Sequence, residues 1–200
     1  MEVGSRAGFS LDLWVALGSL AGGEVLLDSR AEDGRGLLVS TADAGSIQIQ
    51  LNDGRQVTSW TSDVGALETG QPQHVVITVD GGPKIITFVV NGVLHDGGNE
   101  RQFGWGRFSP SLRAPNGAAT LKLAKAVQSL RIYNRALRTS EAVGNLRAGL
   151  SKVAGRKTLE RVKGIEPSPQ AWEARILPLN HTRAMIFCSR TTRSAQLNSR

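Results

Sequence analysis

Two β-branched runs set back to back constrain this chain more than any other feature. His74-Val75-Val76-Ile77-Thr78-Val79-Asp80 is followed by Gly81-Gly82-Pro83-Lys84, and the chain resumes as Ile85-Ile86-Thr87-Phe88-Val89-Val90 before Asn91-Gly92. Branching at Cβ restricts χ1 and favours a pleated strand over a helix. Turn residues at each boundary make the pair a hairpin, and runs this apolar require burial on at least one face. A chain built around such a hairpin needs further strands and a second layer to cover them.

The rest of the first 135 residues supplies them. Phe9, Leu11, Leu13, Val15 and Leu17 alternate with Ser10, Asp12, Trp14 and Ala16, which directs one side of a strand to a core, since successive side chains point to opposite faces. Glu24 to Asp28 and Gly36 to Thr41 are short apolar runs around the polar loop 29–35. Ile47, Ile49 and Leu51 alternate with Gln48 and Gln50, and Asn52-Asp53-Gly54 turns the chain into Val57, Ser59 and Thr61 with Trp60 facing the other way. Thr120–Leu123 and Val127–Tyr133 read as the last strands. A short helix closes the domain, with Thr139 as N-cap, Glu141 in the first turn and Gly149 as its stop. Many short strands and one late helix specify an all-β fold, an antiparallel β-sandwich over residues 9–149. His74 is expected to pack or cap at its strand start, and His95, after the Asn-Gly turn, to be exposed.

Four segments carry a family resemblance. Phe9-Ser10-Leu11-Asp12-Leu13-Trp14-Val15, His74 to Asp80, Phe88-Val89-Val90-Asn91-Gly92-Val93-Leu94, and Leu130-Arg131-Ile132-Tyr133-Asn134-Arg135-Ala136-Leu137 with Ser140-Glu141 resemble, in order and spacing, the motifs of laminin-G-like, concanavalin-A-like jelly rolls. The resemblance implies a jelly roll of binding type. It also implies a strand before Phe9, and the residues preceding Phe9 carry no strand pattern. The expectation is therefore a jelly roll lacking its first strand, with an open edge beside Leu130–Tyr133 and with upstream domains in a longer parent protein.

Residues 150–200 change character. The segment 151–200 holds ten basic and three acidic residues, and so the whole formal excess of +7, with prolines at 167, 169 and 178. Its composition predicts disorder. Residues 160–183 resemble peptides obtained by translating the strand opposite a transfer-RNA gene, so the tail is read as non-native and lends no support to a function. Because residues 1–150 balance fourteen basic against fourteen acidic residues, the folded part offers no electrostatic footprint for nucleic acid. No apolar run is long enough to insert in a membrane. The chain starts without a signal peptide, although domains of this type imply a parent that is secreted or on the cell surface. The lone Cys188 excludes an internal disulfide framework and a cysteine metal cluster.

Catalytic signals are missing from the sequence. Glucanases of this architecture need two carboxylates flanking a sugar bond, and no strand here presents acids at alternating positions; Glu32-Asp33 are adjacent in a loop. No Gly-x-Ser-x-Gly and no phosphate loop occurs. No cofactor is required by any of these features, and no enzyme is expected. Laminin-G-like domains often hold calcium at the rim of the sandwich; Asp28, Asp33, Asp63 and Asp96 are hard oxygens at loops or strand ends, and Asp28 and Asp63 are the candidate ligands for Ca2+. The segment 99–110 carries Phe103, Trp105 and Arg107 among glycines, a composition suited to stacking on a sugar and bonding its edge. These are the candidate ligand-binding residues. The leading reading is a non-catalytic binding or adhesion module for a glycan or an extracellular protein, with carbohydrate the favoured ligand. The alternatives are an accessory domain of a glycoside hydrolase or sialidase-like enzyme, and a ligand-free structural spacer.

Overall fold

A computed structural model describes residue 3 and residues 7–97, 106–159 and 195–196. Its strands are β1 (Gly8–Ala16), β2 (Val25–Asp28), β3 (Gly36–Ala42), β4 (Ser46–Asn52), β5 (Val57–Thr61), β6 (Pro72–Asp80), β7 (Ile85–Val90), β8 (Val93–His95), β9 (Gly106–Arg107), β10 (Thr120–Leu123), β11 (Val127–Tyr133) and β12 (Ala195–Gln196), with one α-helix, α1 (Thr139–Leu159). They form two antiparallel sheets. One has the order β11-β1-β6-β7-β8, with β9 also on β7; the other runs β12-β10-β2-β3-β4-β5. The all-β sandwich expected from the sequence is the observed architecture.

Period-two alternation places the core between the sheets. Phe9, Leu11, Leu13 and Val15 from β1, Val75, Ile77 and Val79 from β6, and Ile86, Phe88 and Val90 from β7 meet Leu37, Val39, Ile47, Ile49 and Leu51 from β3 and β4, all buried. Turn chemistry sets the register. Asn91 and Gly92 take φ of 49° and 84°, the two positive values that a two-residue hairpin matching the strand twist demands. In the β6–β7 turn Lys84, and neither Gly81 nor Gly82, takes positive φ, at 62°. Its ammonium donates to the Val3 carbonyl at 2.7 Å and lies 5.6 Å from the Phe108 ring centre, contacts that fix the strained residue. In the β4–β5 turn burial raises the Asp53 carboxyl, but backbone N–H groups of Arg113, Gln56 and Arg55 outweigh it and hold the group at about 2.

The outer face of the first sheet is not left to solvent. Strand β11 pairs only with β1 among the described residues and forms the outer edge there. The chain then turns back and α1 lies across the sheet, where Val76, Val89, Leu137 and Ala142 make a second apolar cluster. The helix cap lies one residue before the expected Thr139: the Glu141 carboxylate accepts the Arg138 backbone N–H at 2.9 Å, the reach-back half of a capping box. Nor does the helix stop at Gly149. That residue keeps a negative φ within α1, and a Cβ there would stand 2.5 Å from the Trp14 indole. Gly149 is a close-approach glycine, so the helix continues past the expected domain end. Of the tail expected to be disordered, residues 150–159 belong to α1 and Ala195–Gln196 pair with β10; residues 160–194, with the 160–183 segment, and 197–200 lie outside the described residues.

The Arg135 guanidinium makes a two-bond pair with Glu141, at 2.8 and 2.6 Å. That hydrogen-bonded partner lowers the Glu141 carboxyl to about 2. A depressed carboxyl stabilises the fold above its unfolded value and loses that contribution as pH falls through the folded one, here between about 4.5 and 2. Both side chains are more than a third exposed, so screening reduces the effect to about 0.5–1 kcal/mol. Thermal melts of wild type and Glu141→Gln should therefore differ at pH 6 and converge near pH 2, with Asp53 contributing equally to both. A constant gap across that range would refute the assignment.

Candidate functional site

Register on β7 builds the rim of the sandwich. Phe88 pairs with His95 of β8, and Ile86 pairs with Gly106 of β9. These are two positions apart along one strand, about 7 Å, so the chain leaves this edge of β7 after His95 and rejoins it at Gly106 within a narrow span. Closely spaced ends are the geometry of compact surface loops, which are frequently functional. Each stem is tied to the opposite sheet. On one side the Asp63 carboxylate accepts the Gly97 N–H at 3.2 Å and approaches the His95 ring nitrogen at 3.4 Å. On the other, Gly106 lies against the Trp60 ring, where a Cβ would be 2.3 Å from the indole.

Of the candidate ligand-binding residues, Arg107 is exposed at the second stem. Phe103 and Trp105 lie outside the described residues. His95 differs from expectation: its side chain is only 13% accessible, because Asp63 draws it against the β5 end.

The two candidate calcium ligands do not converge. Asp28 is on β2 and Asp63 follows β5, which are separated by β3 and β4, three strand spacings or about 14 Å. Asp28 is instead engaged by Arg30, which donates its backbone N–H and two guanidinium N–H groups at 2.9–3.0 Å and holds the carboxyl below its ordinary value. Asp33 is held low in the same way by the Arg35 backbone N–H and guanidinium. Among the described residues no three acidic, histidine or cysteine side chains group as a metal site.

A cluster absent from the sequence reading lies beneath α1. The Asp12 carboxylate meets His74 Nε2 at 3.0 Å and accepts from Asn145 Nδ2 at 2.7 Å, with Arg131 at 3.8 Å. Asn145 Nδ2 also donates to the Tyr133 hydroxyl at 3.1 Å, and the His74 ring packs 5.1 Å from that of Trp14. A paired histidine and aspartate can serve nucleophilic catalysis. Here the two side chains are 0% and 1% accessible, so no substrate reaches them. The nearby Ser10 hydroxyl is committed to Thr78, the Arg135 carbonyl and the Leu137 N–H. The cluster fastens helix to sheet.

The fold and the sequence can be set beside known proteins. No curated protein sequence matches the chain. Among solved structures, the CBM40 of Ruminococcus gnavus IT-sialidase bound to α2,3-sialyllactose is similar at 14% identity and a TM-score of 0.48, over 72% of this chain and 84% of that one. Domain 4 of AbnA, a GH43 extracellular arabinanase from Geobacillus stearothermophilus in complex with arabinotriose, gives 17% and 0.46, over 72% and 69%. HCR/D-Sa-GBL1/C gives 12% and 0.54, over 72% of this chain and 36% of that one, a likeness of fold. A laminin-G-type family model, described as the concanavalin A-like lectin/glucanases superfamily, matches residues 2–142. With that match over more than half its length, the chain belongs to the concanavalin A-like lectin/glucanase superfamily.

Proposed function

We propose that this domain is a non-catalytic carbohydrate-binding module of a secreted or cell-surface parent protein, and that it binds through the segment carrying Phe103, Trp105 and Arg107. The superfamily joins two chemistries, binding and hydrolysis. The carboxylates of Asp28 at the end of β2, Asp33 in the following loop and Glu141 at the helix start are each engaged by an arginine, and Asp53 by backbone N–H groups. That engagement favours the lectin branch, because hydrolysis needs two carboxyls facing one bond. The observation that supports the reading is the pairing of His95 and Gly106 two positions apart on β7, with these ends held by Asp63 and Trp60, which brackets the stretch of sequence carrying Phe103 and Trp105. An aromatic side chain such as Trp105 can stack on the apolar face of a sugar, and a guanidinium such as that of Arg107 can bond its hydroxyls.

Glycan-array binding of wild type, Trp105→Ala and Arg107→Ala tests this. Wild type should bind, and Trp105→Ala should weaken the strongest signal about tenfold or more, the loss of one stacking contact. Failure of wild type to bind any glycan would make the domain a spacer. Full binding by Trp105→Ala would remove the site from this segment.

A further inference from the structure

The first sheet has a second, unassigned concavity on its outer face. Alternation puts Thr78 and Asp80 of β6, and Ile85 and Thr87 of β7, on the side away from the core, in direct cross-strand register as Thr78–Thr87 and Asp80–Ile85. The closing helix covers the half of this face that holds Val76 and Val89. The other half stays open as a cleft of about 350 Å³, walled by the chain entering α1 and by Leu94. That volume lies at the lower end of small-ligand sites.

The lining has spare hydrogen-bonding capacity. The Thr78 hydroxyl is committed to Ser10 and the Leu137 carbonyl, whereas the Thr87 hydroxyl has no partner among the described residues. Asp80 spends one oxygen on the Gly82 N–H at 2.9 Å and keeps the other open. Arg138 engages Glu141 and Ala142 through its backbone N–H and carbonyl, and its exposed side chain can turn toward a ligand at the far wall. Ile85, Leu94 and Leu137 supply an apolar floor between these groups. Charges of both signs border the cleft: Arg138 and Asp80 line it, Arg135 is paired with Glu141, and Arg107 of β9 stands in register with Ile85 on the same face. An anion or a cation would therefore meet an opposing like charge, while a neutral polyol can donate to Asp80 and Thr87, accept from Arg138, and rest its C–H face on the floor.

We infer that this cleft is a second binding site, separate from the rim segment, for a single neutral sugar ring. Without an aromatic platform its affinity is weak, so the measurement has to detect millimolar binding, which corresponds to about −4 kcal/mol. The test is a titration of the isotope-labelled full chain with methyl glycosides of neutral hexoses, followed through backbone amide chemical shifts. Saturable shifts are expected at Thr87 and at Leu137–Thr139 in wild type and in Trp105→Ala, and should be lost in Thr87→Val and Asp80→Asn. Thr87→Val keeps the shape and strand preference of a half-buried position, so its fold should survive, and an unchanged spectrum elsewhere would establish that. No shift in wild type would overturn the proposal. So would loss of these shifts in Trp105→Ala, which would merge the two sites, or equal shifts with free glycine, which would mark a site for zwitterions. Failure of the rim reading alone would appear as intact cleft shifts with unaltered array binding in Trp105→Ala, so the two outcomes are distinguishable.

Discussion

Replacing Asp12 with alanine should destabilise the domain by about 3–5 kcal/mol, the cost of breaking a buried, hydrogen-bonded charge cluster from one side. A domain of this size commonly has only about 5–15 kcal/mol in hand, so the variant should be close to unfolding at ordinary temperature. The substitution removes the acceptor shared by His74 and Asn145 and leaves the His74 donor in a space that water does not reach, while the half-buried Asn145 keeps the Tyr133 hydroxyl. His74 suffers most, since its Nδ1 already lacks a partner. Arg131 loses the carboxylate 3.8 Å away, but its side chain is 20% accessible and it can turn to water. Urea denaturation of wild type and variant measures the loss directly. A difference below about 1 kcal/mol, the scale of a single ordinary hydrogen bond, would show that the cluster does not fasten helix to sheet. Asn145→Ala provides the internal comparison: it removes one donor but leaves the Asp12–His74 contact, so it should cost less.

That cluster also marks where sequence reading stops. Alternation along β1 identifies Phe9, Leu11, Leu13 and Val15 as core without any structure, because one apolar face must be buried. It says nothing of what covers the other face. Asp12 and His74 therefore read as an outward position and a strand start, and only the return of α1 across the sheet makes them interior. The same limit explains Gly149. A glycine late in a helical pattern looks alike whether it ends the helix or makes room for a neighbour, and here the neighbour is Trp14, more than a hundred residues away. The hairpins were legible because Asn52-Asp53-Gly54 and Asn91-Gly92 carry their backbone requirement locally. The calcium candidates were not: hard oxygens at strand ends are visible in sequence, but their convergence depends on strand order, and two strands separate β2 from β5. His95 shows the converse, a turn-adjacent residue shielded by Asp63 from another sheet.

Gly106→Ala should cost about 1–3 kcal/mol, the usual range for overpacking, and its effect should depend on Trp60. The new methyl would stand 2.3 Å from Trp60 Cγ and 2.5 Å from Cδ1 and Cδ2, at the base of the indole rather than at a mobile tip. Either the ring leaves its packing against the core or β9 leaves β7. A double-mutant cycle separates these costs from intrinsic propensity. In a Trp60→Ala background the clash disappears, so the Gly106→Ala cost should shrink by well over the few tenths of a kcal/mol within which uncoupled sites add. Equal costs in both backgrounds would refute the contact. The cycle also connects fold to function. If β9 detaches, the chain loses its attachment at Gly106, and the glycan binding proposed for Trp105 should fall even though no proposed binding residue has changed. The Thr87 cleft lies on the face of the sheet away from Trp60, but Ile85 on its floor pairs with Arg107 of β9, so detachment of β9 should lower the sugar-induced shifts there as well. A glycine packed against an aromatic ring therefore holds β9 on β7, and both faces of the sheet at this edge depend on it.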